Sequence, residues 1–425
     1  MRFLSYWHET APAFAGASTG PVQGHYDVAV IGAGFTGLGT ARKLAAEGRS
    51  VVVLEARKVG FGASGRNGGH LNNGMAHSYL AARDHFGREK ARTIYRAFDQ
   101  GIETIERVIA EEGISCNFRR SGKLKLASKP AHYDTLARIG AALREDVDKD
   151  VHMLTRDDIR REVVSDAFHG GLLQDKSAMM HMGRFVAGLG EAAARRGAVV
   201  FEETPVTART QHGKGWKLST PKGHVTADKV LLATGAYTDG VFPWFRRRIV
   251  PVGSFIIATR PLTAEEIART VPGNRTYVNS RNIGNYFRLS PDNRLIFGGR
   301  ARFSARSDQQ SDAKSGKILR AAMAGVFPHL ADVQIDYCWG GLVDMTADRF
   351  PRAGQADGVW YSMGYSGHGA QIATHMGEIM ADLITGRINR NPWDGLPWGA
   401  VPFHTGKPWF LPLVGQYYKF LDLIR

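Results

Sequence analysis

Apolar residues in this chain fall into two kinds of pattern, and the way they alternate divides it. Residues 26–31 (YDVAVI) form a short, continuous apolar run, as a strand buried on both faces does. A glycine-rich turn follows. Residues 36–47 then place Leu38, Ala41, Leu44 and Ala45 on one helical face, and Gly48 ends the helix. Residues 51–54 (VVVL) are a second buried strand, completing a βαβ unit. Helices are predicted over 87–112, 131–149 and 184–196, and strands over 120–127, 198–202 and 229–234. From 250 to 303 the pattern becomes β-rich, with Ser290-Pro291-Asp292-Asn293 marking a hairpin turn between two alternating runs. A strand over 358–362, a second glycine-rich turn and a helix over 370–383 close the pattern, and the aromatic stretch 410–424 is expected to pack on the body.

This order predicts an α/β fold, α+β overall. A discontinuous Rossmann-type nucleotide domain (1–115, 165–240 and 335–425) would be interrupted by a β-rich substrate domain (116–164 and 241–334). A chain of 425 residues has ample length for two lobes.

Composition removes several classes. The only cysteines, Cys116 and Cys338, exclude a disulfide scaffold and any CxxC metal site, so no metal is expected and a reducing, cytoplasmic setting fits. No stretch is long enough to span a bilayer, and the first residues lack the apolar core of a signal peptide. The formal charge of +15 invites a nucleic-acid reading, but the basic residues are scattered and no RNA- or DNA-binding motif accompanies them. A basic surface that attracts anionic ligands is the simpler account. Nothing in the surface pattern fixes an oligomeric state.

The chemistry begins at Gly32-Ala33-Gly34-Phe35-Thr36-Gly37, a GxGxxG between strand and helix, with Glu55 and Ala56 at the end of the next strand. Gly32 serves the tight turn, Gly34 the approach of a pyrophosphate and Gly37 the packing of helix on strand, while Glu55 accepts ribose hydroxyls. A second glycine-rich loop, Val59 to His70, follows at once and carries Ser64, Arg66, Asn67, Gly68, Gly69 and His70, then Leu71. NAD enzymes rarely show such a loop. FAD is longer and needs a second set of backbone contacts, so FAD is the expected cofactor, with Arg66 available to its pyrophosphate.

The blocks YDVAVIGAGFTGLGTARKLA, VVVLEA, GFGASGRNGGHL, LLATGAYT, WGGLVDMTADRFP and GYSGHG together resemble the D-amino-acid oxidase superfamily of FAD enzymes, nearest the γ-glutamylputrescine oxidoreductase branch. The resemblance implies that Thr234 and Gly235 lie near the pyrophosphate and Val206 near the adenine. It implies that Gly341 and Leu342, with Ser366, Gly367, His368 and Gly369, border the isoalloxazine. Three departures from the sarcosine-oxidase branch stand out. Gln371 occupies the place of a lysine that binds a substrate carboxylate, Gly341 that of a flavin-linked cysteine, and Ile296 that of a lysine tied to oxygen activation. FAD held non-covalently is therefore expected. The substrate is expected to be a small amine, oxidised at C–N by hydride transfer to flavin N5, with oxygen or another molecule as acceptor. His70, Tyr286, Arg288 and Gln371 are the candidates for the substrate face. An amino-acid or N-methyl amino-acid oxidase or dehydrogenase, with Arg288 as carboxylate clamp, is the alternative. A flavin-bearing electron-transfer partner is a third reading.

Overall fold

The computed structural model describes residues 1–302 and 313–424. Phe303, the last residue of the predicted β-rich run, lies outside them.

The first βαβ unit forms where the pattern places it, as strand His25–Ile31, helix Phe35–Ala46 and strand Val51–Leu54. The two strands pair in parallel with each other, with Val199–Phe201 on one side and with Gly223–Leu232 on the other. The last of these extends the sheet in two directions. It pairs antiparallel with Gly215–Thr220, and its end pairs in parallel with Val359–Met363. The central strands of this sheet are covered on both faces and carry apolar runs: Val28 to Ile31 and Val51 to Leu54 are all buried. Helix Phe35–Ala46 packs between Met182–Arg195 and Ala373–Thr385, and Arg88–Glu112 packs against the latter. Gly39 and Gly377 permit the close approach of helices Phe35–Ala46 and Ala373–Thr385, since a Cβ at 377 would lie 2.5 Å from the Thr36 carbonyl oxygen and one at 39 would lie 3.0 Å from that of Thr374.

A second sheet runs in the order Ile335–Met345, Val250–Pro261, Arg294–Arg302, Tyr286–Leu289, Thr276–Asn279, Lys123–Leu126, Gly171–Gln174, Val151–Leu154. Ser290–Asn293 forms the turn between two of its strands, as the alternation predicts. Gly171–Gln174 and Ile335–Met345 pair in this sheet, although the sequence pattern puts both on the nucleotide side. The predicted strand 120–127 is two strands, because Gly122 turns the chain at φ +66° and sends Arg119–Arg120 into a small separate sheet. Leu124, Leu126, Tyr277, Phe287 and Phe297 face one way, into a core that also takes Leu319 and Met323 of helix Ala313–Val326. By the two-residue period of a strand, Lys125, Val278 and Tyr286 face the other way, toward the nucleotide domain.

The C-terminal stretch is a helix, Leu411–Ile424, joined to the body where Asp422 accepts from the backbone N–H groups of Asn282 and Ile283. Among the described residues no helix is long and apolar enough to cross a membrane.

Candidate active site

The turn after the first strand has little room for side chains. Gly32 has φ +102°, and its N–H donates to the Leu54 carbonyl at 3.0 Å, tying the turn to the second strand. A Cβ on Gly37 would stand 2.0 Å from the Gly32 carbonyl oxygen. A Cβ on Gly34 would stand 2.9 Å from Ser64 Oγ, which itself accepts from the Phe35 N–H. Glu55 Oε2 accepts from the Ala33 N–H at 2.7 Å and Oε1 from the Arg57 N–H at 2.9 Å. Burial pushes the Glu55 carboxyl up, against the pull of those two bonds. Each oxygen retains a lone pair for a ribose hydroxyl.

From this turn a cavity of about 660 Å³ runs between the two sheets. It begins at Glu55, Ala56 and Val206, passes Gly32, Gly34, Phe35, Thr36, Thr234 and Gly235, and ends against Tyr286, His70 and His368. Ser64, Arg66, Asn67, Gly68, Gly341, Leu342, Gly367 and Gly369 also line it. A helix N-terminus and a glycine cradle are both part of its wall, as a dinucleotide bearing a ring system requires. Four residues expected at the cofactor support this wall from behind. Gly37 packs helix on strand. Gly69 turns at φ +81° under the Arg288 guanidinium, Leu71 is buried in the small sheet, and the Ser366 N–H donates to the Asp344 carbonyl.

The second glycine-rich loop is held from outside. Trp7 Nε1 donates to the Asn67 carbonyl at 2.6 Å, Ser5 Oγ to the Gly65 carbonyl at 2.7 Å, and Trp339 Nε1 to the Arg66 carbonyl at 2.9 Å. Arg66 itself donates from Nε to the Phe61 carbonyl and from Nη1 to the Gly340 carbonyl. Burial lowers its pKa, so an anion beside it would relieve an unfavourable charge.

Tyr286 and His70 meet edge to face at 5.3 Å between ring centroids. Burial pushes the Tyr286 hydroxyl up to about 12 and His70 down to about 3, so both are neutral near pH 7. The two ring nitrogens of His70 lie 3.0 Å from the Gly68 carbonyl and 3.3 Å from the Phe287 carbonyl. This histidine ties loop to sheet. His368 is likewise held near 4, chiefly by burial.

Arg288 and Gln371 are not on the substrate face. Arg288 shares a sheet face with Tyr286, but Trp7 and the Gly69 loop cover it to 1% exposure. Its Nη1 donates to the carbonyls of Gly69 at 2.6 Å and Met180 at 3.1 Å, and its Nε to that of Leu289 at 3.0 Å. Gln371 is buried just before helix Ala373–Thr385, where its backbone carbonyl presses on Gly101 of the long helix. Neither lines the cavity.

Several lining residues carry no sequence signal of their own. Ser254, Ile256 and Val278 reach the cavity through sheet register alone. Asp344 stands out only as the single charge in the apolar run WGGLVDM. Its Oδ2 accepts from the Gly364 N–H at 2.6 Å, and burial raises its carboxyl to about 6. Cys338 faces the core behind the second sheet, and neither it nor Cys116 lines the cavity.

A Rossmann-type sheet facing a mixed sheet across a dinucleotide cleft defines a flavin-dependent oxidoreductase. The chain belongs to the DAO family of FAD dependent oxidoreductases, whose profile matches residues 27–383. Its cofactor is FAD. The chain is 35% identical to a probable oxidoreductase OrdL of Haemophilus influenzae, over 94% of this chain and 93% of that one. It is 33% identical to γ-glutamylputrescine oxidoreductase of Escherichia coli over 98% of both. Among solved structures, glycine oxidase from Geobacillus kaustophilus superposes with a TM-score of 0.75 at 22% identity, covering 88% of this chain and 98% of that one.

Proposed function

We propose that the protein oxidises a C–N bond of a small amine, a CH–NH or CH–NH2 donor of the γ-glutamylputrescine type. One observation carries this reading. The groups at the substrate end, Tyr286, His70, His368, Ile256 and Val278, are neutral or apolar, and the cation expected to clamp an α-carboxylate, Arg288, lies outside the cavity lining with Nε and Nη1 turned to three backbone carbonyls. The near full-length likeness to a γ-glutamylputrescine oxidoreductase supports the same choice.

Held by the Gly32–Gly37 turn, Glu55 and the second glycine-rich loop, FAD would supply a two-electron acceptor for hydride from the carbon beside nitrogen, and the resulting imine would be hydrolysed by water. The protein's part is to hold the amine neutral and aligned. An ammonium has no lone pair to assist C–H cleavage, and a site walled by Ile256, Val278 and an uncharged tyrosine disfavours the ammonium form. The Tyr286 hydroxyl remains protonated, and Ser254 lines the same part of the wall. Neutral His70 has one N–H, which ties the loop to the sheet when it sits on Nε2 and donates to the Phe287 carbonyl, and neither histidine serves as an acid near pH 7.

The test is anaerobic reduction of the purified yellow protein by a panel of γ-glutamylputrescine, simple primary and secondary amines, glycine, sarcosine and D-alanine. Bleaching by amines is expected, and admitting oxygen afterwards identifies or removes it as the acceptor. Bleaching by amino acids alone, with every amine inert, would overturn the proposal.

A further inference from the structure

The run Lys123-Leu124-Lys125-Leu126 alternates with a period of two, so its lysines share one face of the second sheet while its leucines enter the core behind. That face is the one turned to the nucleotide domain. Lys125 pairs with Val278, and Val278 pairs with Tyr286 on the next strand; Val278 and Tyr286 both line the cavity. Lysine is costly here, because burial lowers the pKa of both amines.

The two lysines differ in what they face. Lys123 Nζ donates to the Asn73 carbonyl at 2.7 Å and lies in the field of Asp99 and Asp148. Lys125 has neither a hydrogen-bond nor an ion-pair partner among the described residues. The charges of Lys123, Lys125 and Arg349 nevertheless act on His368 in the cavity wall, all in the same sense, after the larger effect of burial. The cleft therefore has neutral walls at Tyr286, His70 and His368, and an unpaired cation just beyond its lining, one strand past Val278.

The geometry points to Lys125 as an anchor for a carboxylate at the far end of the substrate. This rests on the amine reading above and narrows it. Lys125 is two strands from Tyr286, about 10 Å at the usual spacing between neighbouring strands. An α-amino acid, with carboxylate and amine on one carbon, cannot bridge that gap. An amine bearing its carboxylate many bonds away can, and the charge pair would be made only by such a substrate. Lys125 is a positioning residue here, acting on specificity and leaving the reacting atoms to the flavin and Tyr286.

The test uses the FAD-loaded protein and a ligand without an amine, N-butylglutaramate, which offers a carboxylate at the end of an amide chain and cannot be oxidised. Calorimetric titration of wild type, Lys125→Met and Lys125→Arg reads the contact directly. Wild type and Lys125→Arg are expected to bind, and Lys125→Met to bind at least about tenfold more weakly, with an unchanged flavin spectrum. Equal affinity in wild type and Lys125→Met, or no binding to wild type, would overturn the assignment. Flavin reduction by γ-glutamylputrescine and by its carboxylate-free analogue N-butanoylputrescine gives a separate answer. Wild type should favour the former through a lower half-saturating concentration, and Lys125→Met should lose that preference while keeping its limiting rate. If no amine reduces the wild-type flavin while the titration still distinguishes Lys125→Met, the amine reading fails and the anion anchor stands.

Discussion

Tyr286 lies across Gly298, its direct partner on the neighbouring antiparallel strand, so closely that a Cβ at 298 would fall 2.5 Å from Tyr286 Cζ. Gly68 meets the same ring from the loop, where a Cβ would fall 2.6 Å from Cε2. The ring is thus set by two absent side chains. Gly298→Ala is expected to tilt Tyr286 into the cleft and cut the limiting rate of anaerobic flavin reduction by about tenfold to a hundredfold. FAD content should not change. Stopped-flow reduction of wild type and variant checks this.

Arg288 holds the Gly69 loop to the sheet. Arg288→Met takes from the Met180 carbonyl its guanidinium donor and leaves that of Gly69 with only the Met180 N–H at 3.4 Å, at about 1–3 kcal/mol for an orphaned buried group. A stability loss of that order in denaturant unfolding is expected, with the ratio of KM values for amine and amino-acid substrates unchanged. A carboxylate clamp would give the reverse result: an intact fold and a steep rise in KM for amino acids alone.

Gly37 sits where a methyl group would strike backbone. With a Cβ 2.0 Å from the Gly32 carbonyl oxygen, Gly37→Ala must move the phosphate-binding turn or the helix behind it. Overpacking of this kind costs about 1–3 kcal/mol, or roughly tenfold to a hundredfold in FAD affinity. The ratio of visible to ultraviolet absorbance after gel filtration, followed by titration with FAD, measures the loss.

His181 gives the fold a defined acid sensitivity. Its Nδ1 accepts from the Arg184 N–H at a helix start, and its Nε2 meets Thr10 Oγ1 at 2.9 Å. Burial, then the charges of Arg184 and Arg288, hold it near 3 against an ordinary 6.5. Between those values the unfolded chain binds a proton that the folded one refuses. Its contribution to stability is therefore complete above pH 6.5 and lost as pH falls toward about 3. His181→Asn keeps an acceptor at the helix start and removes the titration. Its melting temperature should fall less steeply than that of wild type from pH 6.5 to pH 4, whatever its absolute value.

The nucleotide cradle was legible in the sequence because it is local. Gly32, Gly37 and Glu55 act on neighbours within one βαβ unit, and the strand and helix patterns on either side fix their places. The substrate face is built by register between strands distant in the chain. Alternation correctly groups Tyr286 with Arg288, but nothing nearby in sequence announces that Trp7 and Gly69 roof over the arginine alone. Gln371 is hidden for a related reason, since the partner that buries it, Gly101, lies on a helix some 270 positions earlier. Lys125 is the converse case. The alternation of lysine and leucine marks both lysines as lying on one face, but which face becomes clear only once the leucines are seen packed against Tyr277 and Phe287.

The short N-terminal segment that clasps the second glycine-rich loop is itself fastened near the other end of the chain. The Arg2 N–H donates to the Asp336 carbonyl, and the Cys338 N–H donates back to the Arg2 carbonyl. During synthesis the Arg2 backbone therefore has no partner until position 338 has left the ribosome, and this fastening of the clasp closes late. A bulky fusion ahead of Met1 would burden that closing step, so flavin incorporation in tagged protein should depend on which terminus carries the tag.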